Sequence, residues 1–407
     1  MDEAHNLVER SRSMYSAELY KNPILQISKK IKIYSSTAYE NLKKLNKYFI
    51  EVKKIVNESN DNTYIQKQFP KETGNLIKKI VKQIDSVISK NKVIEFKEEL
   101  LELFFMLNTF VKVLEGYDEK YITYYEYDSG DIKCKLYCID PSKLLMERQK
   151  LAKSTIMFSA TLIPIDYFIN ILGGSDETYK MLIKSPFPKE NLCLIINNSI
   201  STKYRQRNKT YIDVVENINS SVMNNKGNYM IFFPSYKYLE EVYELFLCFK
   251  HDQVTAIKQE RFMTEEEKNN FLGNFKKNNS KYFVAFVVLG GSFSEGIDLV
   301  GERLSGVVVV GVGLPQICLE KDIIKDYFNN QKINGFEYAY IYPGMNKVMQ
   351  AVGRVIRSEN DLGVVVLLDE RFCYNSYSRL FPRHWEQKTV VNSEENISQI
   401  TKDFWDR

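Results

Sequence analysis

The 407-residue sequence predicts an α/β protein, with parallel sheets flanked by helices and a helical domain inserted near the N-terminus. Two patterns predict this fold class. Between about residues 20 and 120, apolar residues recur every three or four positions, which is typical of helices packed in a bundle. From there to about residue 372, short β-branched runs alternate with helical stretches, and such strands are typical of parallel sheets buried on both faces.

The composition agrees with a globular protein and gives little indication of a partner. Hydrophobic residues make up 44% of the chain and charged residues 27%, which excludes wholesale disorder. No apolar run approaches the roughly 20 residues of a membrane span, and the acidic start is unlike a secretory signal. The net charge of +4 permits a polyanion as partner but does not indicate one. We expect six reduced cysteines, with Cys134 and Cys138 packed in a core rather than binding a metal.

Three apolar stripes predict the helices of the inserted domain. The first runs from residue 31 to 56 and predicts one long helix, and the others run from 76 to 88 and from 100 to 114. The polar segment 57–75 separates the first two stripes. We expect an antiparallel bundle with the stripes as its core.

The remaining elements follow in order. A hairpin is predicted at 121–139, because Asp128-Ser129-Gly130-Asp131 is a favourable turn between two strand-like segments. Seven more strands are predicted at 154–158, 192–196, 229–233, 254–257, 282–288, 306–310 and 363–368. Helices are predicted between most of them, for example at 236–248, 264–277 and 343–357.

The chain opens with Asp2-Glu3-Ala4-His5, the first motif that carries chemistry. An aspartate at the end of a strand can hold the Mg²⁺ that bridges two phosphates, and an adjacent glutamate can deprotonate the attacking water. An exposed acidic terminus is the alternative.

Two further motifs follow predicted strands. The hydroxyls of Ser159-Ala160-Thr161 could cap a helix or could link a nucleotide site to a nucleic-acid groove. The segment GGSFSEGIDLVGE at 290–302 places small and acidic residues at the carboxyl end of a strand, where α/β folds bind ligands.

The segment QAVGRVIR at 350–357 is the strongest signal. If it is helical, Gln350, Gly353, Arg354 and Arg357 share one face, with two guanidinium groups about one turn apart. Such a pair suits a phosphate clamp, because the planar guanidinium spreads over several oxygens. A solvated basic helix face is the alternative.

The four motifs, in this order, resemble those of superfamily 2 helicases. The segments LYCIDPSKLL at 136–145, YMIFFPSYKYLEEV at 229–242 and 350–372 resemble the DinG/XPD family of DNA helicases in particular. The resemblance implies two RecA-like motor domains with ATP between them and a helical arch inserted in the first. We therefore expect a remnant of the first motor domain at 1–19, the arch at 20–120, the rest of an incomplete first motor domain at 121–197 and the second motor domain at 198–407.

The resemblance also implies residue roles. Asp2 and Glu3 would hold Mg²⁺, and Glu3 would activate water; with Arg354 and Arg357 they are the expected catalytic residues. The expected nucleotide-binding residues are His5, Glu295, Gly296, Asp298, Gln350, Gly353, Arg354 and Arg357. The expected nucleic-acid-binding residues are Ser159, Thr161, Ser235, Tyr236 and Ser294, together with Arg205 and Arg207, for which a solvated loop is an equal alternative.

The sequence departs from the family pattern in two ways: it lacks the phosphate loop, and it lacks the cysteine ligands of a 4Fe–4S cluster. No glycine in the sequence is followed directly by lysine, so the phosphate loop GxxxxGK[ST] has no match. We therefore expect little ATPase activity from this chain alone and a separate N-terminal motor fragment as a partner. The resemblance implies ATP and Mg²⁺ as cofactors. The parent protein could also bind a 4Fe–4S cluster, but this chain has no ligands for it.

The expected function is that of the C-terminal part of an ATP-dependent DNA helicase. It would move 5′ to 3′ on single-stranded or forked DNA in repair or replication. We expect it in the cytoplasm, at the nucleoid of a bacterial-type cell, and we expect no membrane as a partner. A non-catalytic module that binds single strands is one alternative, and a helicase acting on RNA is another.

Overall fold

The computed structural model describes residues 1–91, 93–277, 279–293, 299 and 301–407. The chain divides into two compact units. The first contains Met1–Phe158 and Ile169–Thr178, and the second contains Ser159–Phe168 and Tyr179–Arg407. Among the described residues, no helix combines the length and the apolar character needed to cross a membrane.

The helices of the first unit confirm the bundle that the three stripes predict. They are α1 Leu7–Met14, α2 Lys21–Ile31, α3 Ser36–Glu58, α4 Lys71–Lys90, α5 Lys97–Glu115 and α6 Ser142–Gln149, and α7 Ile165–Ile171 begins in the second unit and ends in the first. The prediction of one long helix through the first stripe is wrong at its start. α2 ends at Ile31, and Ser35 caps α3 because its side chain accepts a hydrogen bond from the backbone N–H of Ala38 at 3.2 Å.

A four-stranded antiparallel sheet completes the first unit. Its strands are β1 Ala17–Tyr20, β2 Thr63–Gln66, β3 Tyr121–Asp128 and β4 Asp131–Cys138, in the order β1-β4-β3-β2. β3 and β4 form the predicted hairpin, and its turn residues Ser129 and Gly130 have φ angles of 51° and 84°. Residues of β3 and β4 are buried in the same core as the helices, so the structure draws no boundary at residue 120.

The second unit is built on a seven-stranded sheet in which every pair of neighbours is parallel. Its strands are β5 Leu192–Asn197, β6 Gly227–Phe233, β7 Val254–Lys258, β8 Tyr282–Val288, β9 Gly306–Val310, β10 Gly363–Leu368 and β11 Thr389–Val391, in the order β11-β5-β10-β9-β6-β8-β7. β6, β9 and β10 are buried along their whole length, as expected for strands covered on both faces.

Helices connect most of these strands. They are α8 Tyr211–Val222, α9 Tyr236–Phe249, α10 Glu265–Gly273, α11 Leu319–Asn330, α12 Tyr342–Val352, α13 Asn375–Ser378 and α14 Glu394–Trp405, and a π-helix at Glu337–Ile341 leads into α12. Strand β5 pairs with β10 in this sheet, although the sequence analysis placed it in the first motor domain. The structural boundary therefore lies near residue 179 and not at 197.

The predicted strand at 154–158 is not a regular strand. Its backbone is nevertheless paired with the start of the chain: the N-terminal amine of Met1 donates to the carbonyl of Ile156 at 2.6 Å, Phe158 N donates to Met1 O at 3.1 Å and Ala4 N donates to Phe158 O at 3.2 Å. These contacts have the pattern of two neighbouring parallel strands.

Candidate functional site

The acidic motif lies in the first unit, where the segment paired with 156–158 ends. Glu3 has a left-handed backbone, with φ 46°, and its N–H donates to Oδ1 of Asp2 at 2.7 Å. Oε2 of Glu3 lies 3.2 Å from Nδ1 of His5, whose side chain is 6% exposed while that of Glu3 is 60% exposed. The turn therefore holds His5 inside and presents the two carboxylates to solvent.

The chemistry of this turn fits Mg²⁺. Carboxylate oxygens are hard ligands, and Mg²⁺ in phosphate sites is held by one or two carboxylates together with water and phosphate oxygens. Across the described ranges, no group of three or more His, Cys, Asp or Glu side chains is placed to hold a metal. Asp2 and Glu3 would thus supply part of a coordination shell, with phosphate and water supplying the rest.

In the second unit, Thr161 of the Ser-Ala-Thr motif is bound to α12. Oγ1 of Thr161 donates to Oδ1 of Asn346 at 2.9 Å, and Nδ2 of Asn346 donates to the carbonyl of Thr161 at 3.1 Å. Thr161 is 4% exposed and Asn346 is 7% exposed. The sequence analysis missed Asn346, although an amide among the apolar residues of MNKVMQAV was a signal of a buried polar contact.

Helix α12 ends before the arginines, which corrects the predicted helical face. The helix spans Tyr342–Val352, and Gly353 is its C-cap. The prediction that Gln350, Gly353, Arg354 and Arg357 share one face of a helix is therefore wrong. The chain must leave the helix here because the buried Val355 packs against Gly363, where β10 begins.

The turn after α12 nevertheless holds both arginines in fixed surroundings. Arg354 is 6% exposed, so it is not part of a solvated basic face. Arg357 is exposed, and its backbone N–H donates to Oδ2 of Asp361 at 2.7 Å. Asp361 also accepts hydrogen bonds from the N–H and the hydroxyl of Ser358, at 2.8 and 2.6 Å. These bonds fix the loop that carries Arg357 into β10.

The carboxyl edge of the parallel sheet carries Ser235 and Tyr236, as the motifs predict. Ser235 follows β6 and caps α9, because its Oγ accepts a hydrogen bond from Tyr238 N at 3.3 Å. Gln259, just after β7, is 4% exposed; it accepts from Val288 N and donates to the hydroxyl of Tyr236, both at 2.9 Å. The sequence analysis missed Gln259, for which no local motif gave a signal.

The Gly-rich segment begins at the same edge. Gly290, two residues after β8, has φ +77°, and a Cβ there would lie 2.7 to 2.9 Å from the side-chain carbons and nitrogen of Lys347 on α12. The backbone therefore requires glycine at this point. The expected site residues Ser294, Glu295, Gly296 and Asp298 lie outside the described residues.

The basic loop at 203–209 follows β5. Lys203 Nζ lies 2.9 Å from Oε1 of Glu370, and this contact, with hydrogen bonds from Tyr374 and Ser201, lowers the pKa of Glu370 to about 2. Arg207 stacks on the rings of Tyr204 and Tyr238, whereas Arg205 is exposed.

A buried ion pair beside this loop was also missed by the sequence analysis. Asp369 directly follows β10 and is fully buried, and its two oxygens accept hydrogen bonds from Nε and Nη2 of Arg371 at 2.8 and 2.9 Å. Asp369 also accepts a hydrogen bond from the hydroxyl of Thr202. The pair joins the end of β10 to the residue before Lys203, so it supports the basic loop from inside.

The chain resembles known proteins in sequence and in fold. A family model described as the helicase C-terminal domain matches residues 218–388. The ATP-dependent DNA helicase CHL1 of Candida albicans is 25% identical over 445 aligned positions, covering 91% of this chain and 52% of that protein. A probable ATP-dependent helicase of Methanocaldococcus jannaschii is 28% identical over 220 positions, covering 49% of this chain and 32% of that protein.

Two solved structures share the fold. The S. tokodaii Xpd4 structure has a TM-score of 0.62 at 15% identity and covers 96% of this chain and 74% of that one. A structure titled XPD_APO has a TM-score of 0.57 at 18% identity and covers 96% and 76%. The chain spans about half the length of the CHL1 relative it matches. These relatives come from a yeast and from archaea, so the bacterial-type location stays a prediction.

Proposed function

We propose that the chain, which is similar in sequence to the helicase C-terminal domain model and to CHL1 and in fold to XPD structures, is the C-terminal part of a DinG/XPD-like superfamily 2 helicase, an ATP-dependent motor that translocates on single-stranded DNA. The second unit would be the second motor domain, and the helices and antiparallel sheet of the first unit would be the arch-like insertion. The direction would be 5′ to 3′, and the process would be repair or replication of forked DNA.

The observation that carries the proposal is the pairing of the chain start with the segment before Ser159. Parallel neighbours end at the same edge of a sheet, and α/β folds bind ligands at that edge. The backbone bonds of Met1 and Ala4 to 156–158 thus bring Asp2 and Glu3 to the end of such a pair. This position supports the proposal that the carboxylate pair holds Mg²⁺ and activates water.

The exposure of this strand pair supports an incomplete first motor domain. Ile156 is 73% exposed and Phe158 is 53% exposed, whereas strands of parallel sheets are normally buried on both faces. We infer that further strands cover these side chains in the working motor and that the same polypeptide segment supplies the phosphate loop.

In the proposed mechanism, the site residues of this chain have separate roles. Asp2 and Glu3 would provide carboxylates for Mg²⁺, which would supply positive charge to offset that of the ATP phosphates. Asp2 would hold the ion, and Glu3 would accept the proton of the attacking water. Arg357 would approach the terminal phosphate from the exposed end of the loop that Asp361 fixes, whereas the buried Arg354 would position that loop. Thr161, whose hydroxyl is bound to Asn346, would transmit movement of α12 rather than bind nucleic acid itself.

The test measures binding and hydrolysis separately. We expect the 407-residue chain to bind labelled oligothymidylate in fluorescence anisotropy, with an affinity that falls steeply with salt because phosphate contacts release counterions. We expect no ATP hydrolysis by this chain alone, and DNA-stimulated hydrolysis when the N-terminal part of the helicase is added. Glu3→Gln should abolish that hydrolysis and leave DNA binding unchanged.

The alternatives predict other results. Single-strand binding without any hydrolysis in the complete assembly would favour the non-catalytic module. Preferential competition by an RNA strand of equal length and sequence would favour a motor that acts on RNA. DNA-stimulated hydrolysis by the 407-residue chain alone, lost in Glu3→Gln, would contradict the predicted need for a separate phosphate loop.

A further inference from the structure

Two loops of the second unit each carry an exposed aromatic ring. Tyr204, in the loop between β5 and α8, is 76% exposed, and Phe262, in the loop between β7 and α10, is 98% exposed. The faces of both rings are therefore open to a stacking partner. Both loops leave the sheet at its carboxyl edge, where ligands bind in α/β folds.

Tyr204 is held in place by an arginine. The guanidinium carbon of Arg207 lies 4.6 Å from the ring centroid of Tyr204 and 5.1 Å from that of Tyr238. Tyr238 is fully buried in the first turn of α9, so it anchors Arg207 to the body of the unit. Within the described ranges Arg207 forms no ion pair. The exposed ring is thus preorganised on a cation that no carboxylate neutralises.

Phe262 lies on a strained backbone beside a second stacked arginine. Its φ of 56° is in the left-handed region, which bulky residues rarely adopt. The guanidinium of the preceding Arg261 lies 5.1 Å from the ring centroid of Tyr236, and Oε1 of Glu240 lies 4.0 Å from its Nε. The loop therefore projects the ring of Phe262 into solvent, while the side chain of Arg261 packs against Tyr236 of α9.

The two arginines contact the same helical turn. Arg207 stacks on Tyr238 and Arg261 stacks on Tyr236, and Ser235 caps this turn. The loop at 203–209 adds the exposed cations of Arg205 and Lys209. Aromatic faces interleaved with cations are the pattern by which proteins bind single strands without reading sequence, because every base has a face that can stack.

We propose that Tyr204 and Phe262 are stacking platforms for unpaired bases of a single-stranded nucleic acid. Arg205, Arg207 and Arg261 would bind the phosphates between them. This inference rests on the proposed function, and it adds two aromatic residues and Arg261 to the nucleic-acid-binding residues expected from the motifs.

The experiment separates base stacking from phosphate binding. Binding of oligothymidylate and of a strand of equal length made of abasic sites is measured by anisotropy for the full chain, Tyr204→Ala and Phe262→Ala. Each substitution should weaken binding of oligothymidylate about tenfold, the effect expected for losing one stacked base, and should leave binding of the abasic strand unchanged. Tyr204→Phe keeps the ring and should bind as the unchanged chain does.

Two controls complete the design. Tyr179 is fully exposed in the same unit but lies outside both loops, so Tyr179→Ala should bind both strands normally. Arg205→Ala should weaken binding of both strands alike and reduce the slope of log affinity against log salt by about 1.

The outcomes are distinguishable. Equal losses on both strands for Tyr204→Ala and Phe262→Ala, or no loss on either, overturn the stacking inference and leave the proposed function standing. Failure of the unchanged chain to bind any single strand overturns the proposed function, and the stacking inference with it.

Discussion

Thr161 and Asn346, 185 residues apart in the sequence, exchange two hydrogen bonds in the interior of the second unit. The hydroxyl and the carbonyl of Thr161 are both engaged by one amide side chain. Asn346 is four residues before Gln350 on α12, so this contact ties the Ser-Ala-Thr motif to the helix that leads to the arginines. We therefore expect the Ser-Ala-Thr motif and helix α12 to move together within this unit.

We expect this contact to contribute measurably to the stability of the second unit. Asn346→Ala should lower the free energy of unfolding by about 1–3 kcal/mol, because it removes two buried hydrogen bonds to Thr161. Thr161→Val removes only the hydroxyl and should cost less. Urea denaturation of both variants and the double variant measures the coupling, which should be about 0.5–1.5 kcal/mol. Strict additivity would show that the contact is not formed.

Gly363 should be intolerant of even one added methyl group. A Cβ there would lie 2.1 Å from Cγ1 of Val355, which is buried and cannot move away freely. Gly363→Ala should therefore cost about 1–3 kcal/mol of unfolding free energy. Gly273→Ala is the matched control, since nothing lies within 4 Å of its Cβ and alanine favours the helix by up to about 1 kcal/mol.

A second substitution tests the stated cause. Adding Val355→Ala to Gly363→Ala removes the methyl group that clashes, so the double variant should be more stable than the sum of the two single effects predicts. A double variant that is as unstable as the sum would place the strain elsewhere.

The hairpin and six of the seven strands of the parallel sheet were predicted from the sequence because their signals are local, whereas β1, β2 and β11 were not predicted. Continuous β-branched runs such as those of β9 and β10 are buried on both faces, and the turn at Ser129 and Gly130 is set by backbone preference alone. Two of the errors arose where tertiary packing decides. β5 pairs with β10, a partner 171 residues later whose register no local pattern reveals, and α12 ends at Val352 because Val355 must reach Gly363.

The residues of the candidate site also divide into those that a local motif predicts and those that depend on a distant partner. Residues in contiguous motifs, such as Ser235 and Tyr236, were predicted from the sequence and lie at the carboxyl edge of the sheet. Gln259, Asn346 and Asp369 were not predicted, because each acts through a partner that is distant in the sequence. A single polar residue after a strand has no signature until its partner is known.

Gln259 should position Tyr236 through its two side-chain hydrogen bonds. Gln259→Leu removes the acceptor of the Val288 N–H and the donor to the Tyr236 hydroxyl, so it should lower the unfolding free energy by about 1–3 kcal/mol. Gln259→Glu keeps the acceptor, and the Tyr236 hydroxyl can donate to it, so its cost should be smaller. Urea denaturation compares the two variants, and equal losses would contradict the assigned bonds.

The contact between Lys203 and Glu370 should give a pH-dependent stability. Lys203 holds the pKa of Glu370 at about 2, below the ordinary value of 4.5. The stabilisation is therefore complete above pH 4.5 and is lost as the pH falls towards 2. Because both side chains are partly exposed, it should not exceed about 1 kcal/mol. Glu370→Gln should be less stable than the unchanged protein near neutral pH, with a difference that shrinks on acidification; a constant difference would contradict this.

The six cysteines should fall into two groups of thiol reactivity. Cys248, Cys318 and Cys373 are exposed, whereas Cys134 and Cys138 are buried. Burial raises the pKa of Cys138 to about 12 and that of Cys193 to about 11, and it raises the pKa of Cys134 as well. Since the thiolate is the reactive form, an aromatic disulfide reagent should label three thiols rapidly in the native protein and all six in denaturant. Cys248→Ser should reduce the rapid group by one, and rapid labelling of Cys134 or Cys138 would show that the core of the first unit is open.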